Sequence, residues 1–245
     1  MFLEVFAGTA RLASAMAKRG YHVLAWDIRY GEEYDLKREK NRQLIRGWIL
    51  GRRIVALHLG TPCNSWSRVR DFGPGPPRLR SDVHVMGLPD LRPCDRIAVA
   101  TGNLFMQFSV SVLLACRRMS VPTCMENPGR SRLWIAPPVK RLFGLRRFQF
   151  TVTDYCQWGT PWMKATGFLS VCADLSGIER RCHRVNKCCS RSGHRHQVLC
   201  GLHPSGVWWT AIAEGYPRPL CRALARCLDD AVVANQALRM HSKLL

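Results

Sequence analysis

The chain has 245 residues, 47% of them hydrophobic, enough to bury a real core in one domain of generous length. Its 37 lysines and arginines against 17 acids give a formal net charge of +20, a field that concentrates polyanions and points to nucleic acid, with an acidic protein partner as the alternative. A membrane is excluded as the expected partner, because the arginines are scattered rather than gathered on one helix face and no apolar run approaches ~18 residues.

The opening FLEVFAGTARLASAMAKRGYHVLAWDIR predicts a complete βαβ unit. Phe2 to Phe6 reads as a strand, Ala7 to Thr9 as a glycine turn, and Arg11 to Arg19 as a helix with Leu12, Ala13, Met16 and Ala17 on its apolar side. After Gly20 a second strand, His22 to Trp26, ends in Asp27. An acid at that tip, about 20 residues past the turn, is placed to accept from both ribose hydroxyls of a nucleoside. A single glycine in place of a GxGxxG run argues against a dinucleotide and for an adenosyl ligand without phosphate, such as S-adenosylmethionine. Asp35 is a second strand-tip acid able to face an adenine amine. The helix that follows carries Leu44, Ile45, Trp48 and Ile49 on one face.

Next, an apolar run (Ile54, Val55, Ala56, Leu57, Leu59) breaks at Gly60 and delivers Cys63 into a polar loop. Such a run reads as a buried parallel strand, and the loop at its carboxyl end is where open α/β sheets keep their chemistry. Residues 68–96, rich in Pro, Gly and Arg, are expected to form a mobile basic loop that clamps a phosphate backbone. A long helix from Ile97 to Arg118 and a strand from Val121 to Met125 follow, presenting Glu126 and Asn127 on the same edge as Cys63. Strands near Phe148 to Val152 and Thr166 to Val171 complete the sheet, the last of them antiparallel, and a helix bearing Leu220, Leu224, Ala225, Leu228 and Val232 closes the chain.

The chain has twelve cysteines. Phe2 to Phe6 is too short for a signal-peptide core and carries Glu4, so the expectation is reduced thiols in an intracellular, reducing compartment, some of them on metal. Between Cys182 and His196 the pattern C-x5-C-C-x4-H-x-H offers thiolates and imidazoles at loop spacing, with Cys156 within reach through a hairpin. Zinc wants four such ligands, and Cys156, Cys182, Cys188 and His194 are the set expected. Residues 176–205 are accordingly assigned to a small Cys/His-rich insertion within a domain formed by 1–175 and 206–245. An unliganded basic loop touching nucleic acid is the alternative.

Taken in order, FLEVFAGTARL, GTPCNSWS, TGNLFMQFSVSVLLACRRMSVPTCMENPG and TDYCQWGTPWMKATGFLSV resemble the motifs of the cytosine-5 DNA methyltransferases over about two thirds of the chain. The resemblance implies an α/β, Rossmann-like class I methyltransferase fold with a mostly parallel sheet, an antiparallel last strand and helices on both faces. It implies S-adenosylmethionine over Phe6, Ala7, Gly8 and Thr9, with Asp27 on the ribose and Asp35 nearby. It makes Cys63 the nucleophile and Glu126 the acid at the pyrimidine ring nitrogen, with Ser67, Asn127 and Lys164 toward the substrate, DNA in preference to RNA. Lysine at 164 stands where the family generally offers arginine, and a lysine lacks the bidentate fork. A Thr-Cys pair at 123 and 124 is similar to the second cysteine motif of RNA cytosine methyltransferases, yet Glu126-Asn127 fits the DNA type, so Cys124 is read as a strand thiol. The rival expectation is a methyltransferase-derived module that binds nucleic acid without turnover.

Overall fold

In the computed structural model, residues 1–72 and 76–241 are described. Six strands form one mixed sheet: β1 (Phe2–Val5), β2 (Val23–Trp26), β3 (Ala56–Leu59), β4 (Thr123–Pro128), β5 (Phe148–Asp154) and β6 (Ala165–Val171). They lie in the order β2-β1-β3-β4-β6-β5. The ladders β1/β2, β1/β3 and β3/β4 are parallel, whereas β6 runs against both β4 and β5. The expected alternation of strand and helix is therefore present, and the reversed last strand changes which of its ends meets the others.

Side chains alternate across each strand, and the two faces have separate cores. Leu3, Val5, Leu57, Leu59 and Met125 pack with α2 (Glu39–Leu50) and α3 (Pro93–Met119). On the opposite face Phe2, Ala56, Cys124 and Phe168 pack with α1 (Arg11–Ala17) and α6 (Arg218–His241). Two single-turn helices, α4 (Pro137–Lys140) and α5 (Trp209–Ile212), lie in the connections. All five apolar residues expected to face inward from the closing helix are buried in this second core or against it. Leu44 departs from its expected face: Ile45 and Ile49 are buried, while Leu44 is exposed. Among the described residues α3 is long and apolar enough to cross a membrane, and here Met106, Val112, Leu113 and Cys116 turn its apolar stripe onto the sheet.

The basic segment 68–96 differs from its expected form. Residues 73–75 lie outside the described residues, but much of the remainder is pinned by arginines that face inward. Arg80 is 1% exposed, stacks 3.4 Å over the Trp66 ring and donates to Ser65, Val85, Val99 and Asn103. Buried Arg132 forms a bidentate pair with Asp71 at 2.8 and 3.0 Å and reaches Asp82 at 3.0 Å. These guanidiniums hold the loop after Cys63 to α3 and to the segment after β4, so their charge serves the fold rather than a phosphate.

Gly60 joins β3 to that loop. A Cβ there would fall 2.7 Å from the Phe6 carbonyl oxygen, in the neighbouring strand's turn. Gly60→Ala is expected to lose about 1–3 kcal/mol of stability through forced displacement of that turn, measured by urea denaturation; an unchanged midpoint would refute the close approach.

Candidate functional site

Parallel strands bring their carboxyl ends to one edge, and there the chain builds a cavity of about 410 Å³. After β1 the turn takes left-handed backbone at Phe6 (φ 56°), Gly8 (φ 52°) and Ala10 (φ 49°), a strained conformation for the two that carry side chains. Phe6, Ala7, Gly8 and Thr9 line the cavity, and the Phe6 ring is fixed 5.0 Å from that of Phe105 on α3. Asp27, after β2, accepts from the Gly8 amide at 2.8 Å and the Arg29 amide at 2.9 Å. Each carboxylate oxygen keeps a further lone pair, so Asp27 braces the glycine turn and still has acceptor capacity toward the cavity. Asp35 also lines the wall, with one oxygen taken by the Lys37 amide.

Cys63 follows β3 and Glu126 lies in β4, and both face the cavity. Because β6 is antiparallel, its amino end lies on this same edge, and Lys164 just before it completes the wall, its ammonium donating to the Ala213 carbonyl at 3.1 Å. Nine of the eleven residues expected for catalysis, cofactor and substrate, all but Ser67 and Asn127, therefore converge on this cavity. Ser67 and Asn127 are the corrections. Ser67 caps the short turn after it, its hydroxyl accepting from the Val69 amide at 3.3 Å. Asn127 alternates to the opposite face from Glu126, is fully buried, and donates to the Thr61 carbonyl at 2.7 Å. It fixes the shape of the Thr61-Pro62-Cys63 loop instead of reaching the cavity.

Burial raises the Glu126 carboxyl above the usual range, a shift that Lys164 and a hydrogen bond from Tyr216 only partly oppose. Its Oε1 has no protein partner, and Oε2 accepts from the Tyr216 hydroxyl at 3.3 Å. A carboxylic acid held in its neutral form can donate to a ring nitrogen. Burial likewise pushes the Cys63 thiol up, nearby Glu126 adds to this, and Lys164 draws it down. Sequence reasoning passed over Tyr216 and His58. His58 interrupts the apolar strand Ala56–Leu59, and a polar group on a buried strand needs a partner, which was the available signal. Arg29 and Glu214 also went unremarked; they form a 3.0 Å ion pair and both line the cavity.

Glu4, at 1% exposure, accepts from the Ala13 amide at 2.6 Å and so supplies the first turn of α1 with the cap its own sequence lacks. Burial raises its pKa to about 8. The folded state thus holds a proton that the unfolded chain has already released, and stability falls as pH rises from the unfolded value toward 8. Glu4→Gln keeps the acceptor and removes the titration. In denaturant titrations the variant should match the native chain near pH 5 and exceed it at pH 9; parallel pH profiles would contradict the assignment.

A second cluster lies in the Cys/His-rich insertion. The ligand atoms of Cys156, Cys182, Cys189 and His196 all fall within 4.8 Å of one another. Cys182 Sγ is 3.9 Å from Cys189 Sγ and 3.6 Å from His196 Nε2. A zinc tetrahedron built on bonds of about 2.3 Å to sulfur and about 2.0 Å to nitrogen has edges of roughly 3.8 and 3.5 Å, so this Cys3His group can hold a metal such as zinc. Two expected ligands are replaced. Cys188 is bridged to Val185 and Arg195, which turns its neighbour Cys189 to the other side, toward Cys156. His194 is exposed and contributes its carbonyl to the Cys189 amide, leaving His196 as the imidazole. Burial works against ionising these thiols, but amides of Ser190 and Arg184 at Cys182, and of Ser192 and Arg191 at Cys189, outweigh it; Cys182 is lowered and Cys189 falls to about 7.

No protein-family model matches this chain, and a search of curated proteins finds none similar to it.

Titration with Co²⁺ or Zn²⁺ separates the two ligand sets. Cys189→Ser should weaken metal binding by at least about tenfold while Cys188→Ser leaves it unchanged, read from thiolate-to-cobalt absorption; the reverse order would restore the set expected from spacing.

Proposed function

We propose that the chain is an S-adenosylmethionine-dependent methyltransferase acting on carbon 5 of cytosine in nucleic acid, on a Rossmann-like class I fold. The observation that carries this reading is the meeting of Cys63 and the neutral-leaning Glu126 in one cavity with the Phe6–Thr9 turn and the acids Asp27 and Asp35. That cavity, about 410 Å³, is within the roughly 300–1,000 Å³ of small-molecule sites, and the two acids suit ribose hydroxyls and an adenine amine. When bound, S-adenosylmethionine supplies an electrophilic methyl group.

Carbon 5 of cytosine is a poor nucleophile while the ring stays aromatic. In the proposed sequence Cys63 sulfur forms a bond to carbon 6, with its proton lost to solvent, as Glu126 donates from its unengaged oxygen to the ring nitrogen. The ring electrons move to carbon 5, which then takes the methyl group. Loss of the carbon 5 proton to water expels Cys63 as a thiolate, which takes a proton back from solvent, and returns the ring proton to Glu126, so the ring is aromatic again and both groups regain their starting forms. Lys164, which draws the Cys63 thiol down, assists the attack. The reacting base must leave its stack, which single-stranded substrate makes cheap. The net charge of +20 supplies the capture of the polyanion, DNA or RNA. In this reading the Cys3His group holds zinc as a staple for the insertion beside the β5–β6 turn.

The raised Cys63 thiol favours a second reading, in which the fold binds nucleic acid without turnover. Transfer of a labelled methyl group to DNA and RNA decides between them. The proposal predicts transfer that Cys63→Ser lowers by at least about a hundredfold with binding retained; retained binding with no transfer in either form selects the binding module.

A further inference from the structure

A buried polar row crosses the sheet on its α1/α6 face. His58 in β3 and Cys124 in β4 are register partners, and their Nδ1 and Sγ lie 3.1 Å apart. The other ring nitrogen, Nε2, is 2.9 Å from the Tyr216 hydroxyl, which itself donates to Glu126 Oε2 at 3.3 Å. His58 and Cys124 are fully buried, and the imidazole is neutral, its pKa driven down to about 3 by burial. Four side chains, from β3, β4 and the connection before α6, thus form one chain of contacts ending at Glu126.

We propose that Cys124, His58 and Tyr216 form a hydrogen-bond chain of fixed direction that confines the acid proton of Glu126 to Oε1, making Tyr216 a positioning residue for that acid. The inference rests on the reading of Glu126 as a proton donor to the substrate ring. A neutral imidazole has one proton to give. Phenol oxygen accepts far better than thiol sulfur, and the Cys124 carbonyl, the other acceptor near this ring, makes no hydrogen bond of good geometry with it, so the His58 proton sits on Nε2 and points at Tyr216. Tyr216 then has its own proton free, and the acceptor in reach is Glu126 Oε2. Nδ1 is left to accept from the Cys124 thiol, whose S–H has no need of another partner. An oxygen that accepts from tyrosine is the carbonyl oxygen of a neutral acid. The hydroxyl oxygen is therefore Oε1, which has no protein partner.

Direction matters chemically. With the imidazole proton on Nδ1, Tyr216 would give its proton to Nε2 and could only accept from Glu126, so Oε2 would hold the acid proton. Oε1 would then accept rather than donate, and the carboxyl would present the wrong partner to an unprotonated ring nitrogen. Lys164, Cys63 and Tyr155 also act on Glu126, but none is bonded to its oxygens, so the choice between them falls to Tyr216.

The test needs no turnover. In ¹⁵N-histidine spectra of the intact chain, the neutral ring whose signals move in Tyr216→Phe should carry its proton on Nε2. In infrared difference spectra a protonated-carboxyl band, absent from Glu126→Gln, should shift to higher frequency in Tyr216→Phe as its carbonyl oxygen loses a donor. A proton on Nδ1, or a band that Tyr216→Phe leaves in place, overturns the chain whatever the activity. If methyl transfer is present, Tyr216→Phe should lower kcat about tenfold with KM for the nucleic acid unchanged. If the native chain transfers no methyl group while both spectra behave as stated, the methyltransferase reading fails and the chain direction stands.

Discussion

Everything at the site depends on one carboxyl that the fold keeps from water. Glu126 lies on β4, the second strand outward from β1 by way of β3, and its burial shifts it toward the protonated form. The neighbouring thiol feels the same burial, so both groups at this edge favour their neutral forms until a ligand or Lys164 alters the balance. Burial thus biases the thiol and the carboxyl toward their neutral forms within a strongly basic molecule.

The cationic surplus is also spent in two ways. Arg80 and Arg132 are buried and satisfied by carbonyls, a ring face and paired aspartates, and they set the path of the loop that carries Cys63. Gly102 on α3 is part of the same fit, since a Cβ there would fall 2.3 Å from Ser65 Oγ. Charge at such positions contributes geometry. The many exposed arginines and lysines remain for long-range attraction, which depends on their sum more than on any one of them.

Strand and helix placement was largely legible, because alternation and period carry it: Leu3 and Val5 against Phe2 and Glu4 divide the two cores, and the closing helix shows its apolar stripe openly. The convergence of Cys63, Glu126, Asp27 and the Phe6–Thr9 turn follows from parallel strands ending at a common edge. What escaped depended on contacts distant in sequence. Asn127 looked like a substrate ligand because the resemblance sets it beside Glu126, yet alternation sends it to the Thr61 carbonyl. Choosing Cys189 over Cys188, and His196 over His194, required the path of a loop that spacing does not encode. Tyr216 carries no signal of its own in the sequence, and its contact with His58, 158 positions away, exists only in the fold.

The central claim is that Cys63 and Glu126 act together on a pyrimidine base. It is tested most directly with an oligonucleotide containing 5-fluorocytosine and S-adenosylmethionine, since a fluorine at carbon 5 cannot be removed as a proton and the sulfur adduct must persist. The account predicts a stable complex whose mass is the sum of protein, oligonucleotide and one methyl group, attached at Cys63 and absent in Cys63→Ser. Bound oligonucleotide with no covalent adduct, or an adduct on a different cysteine, would contradict it.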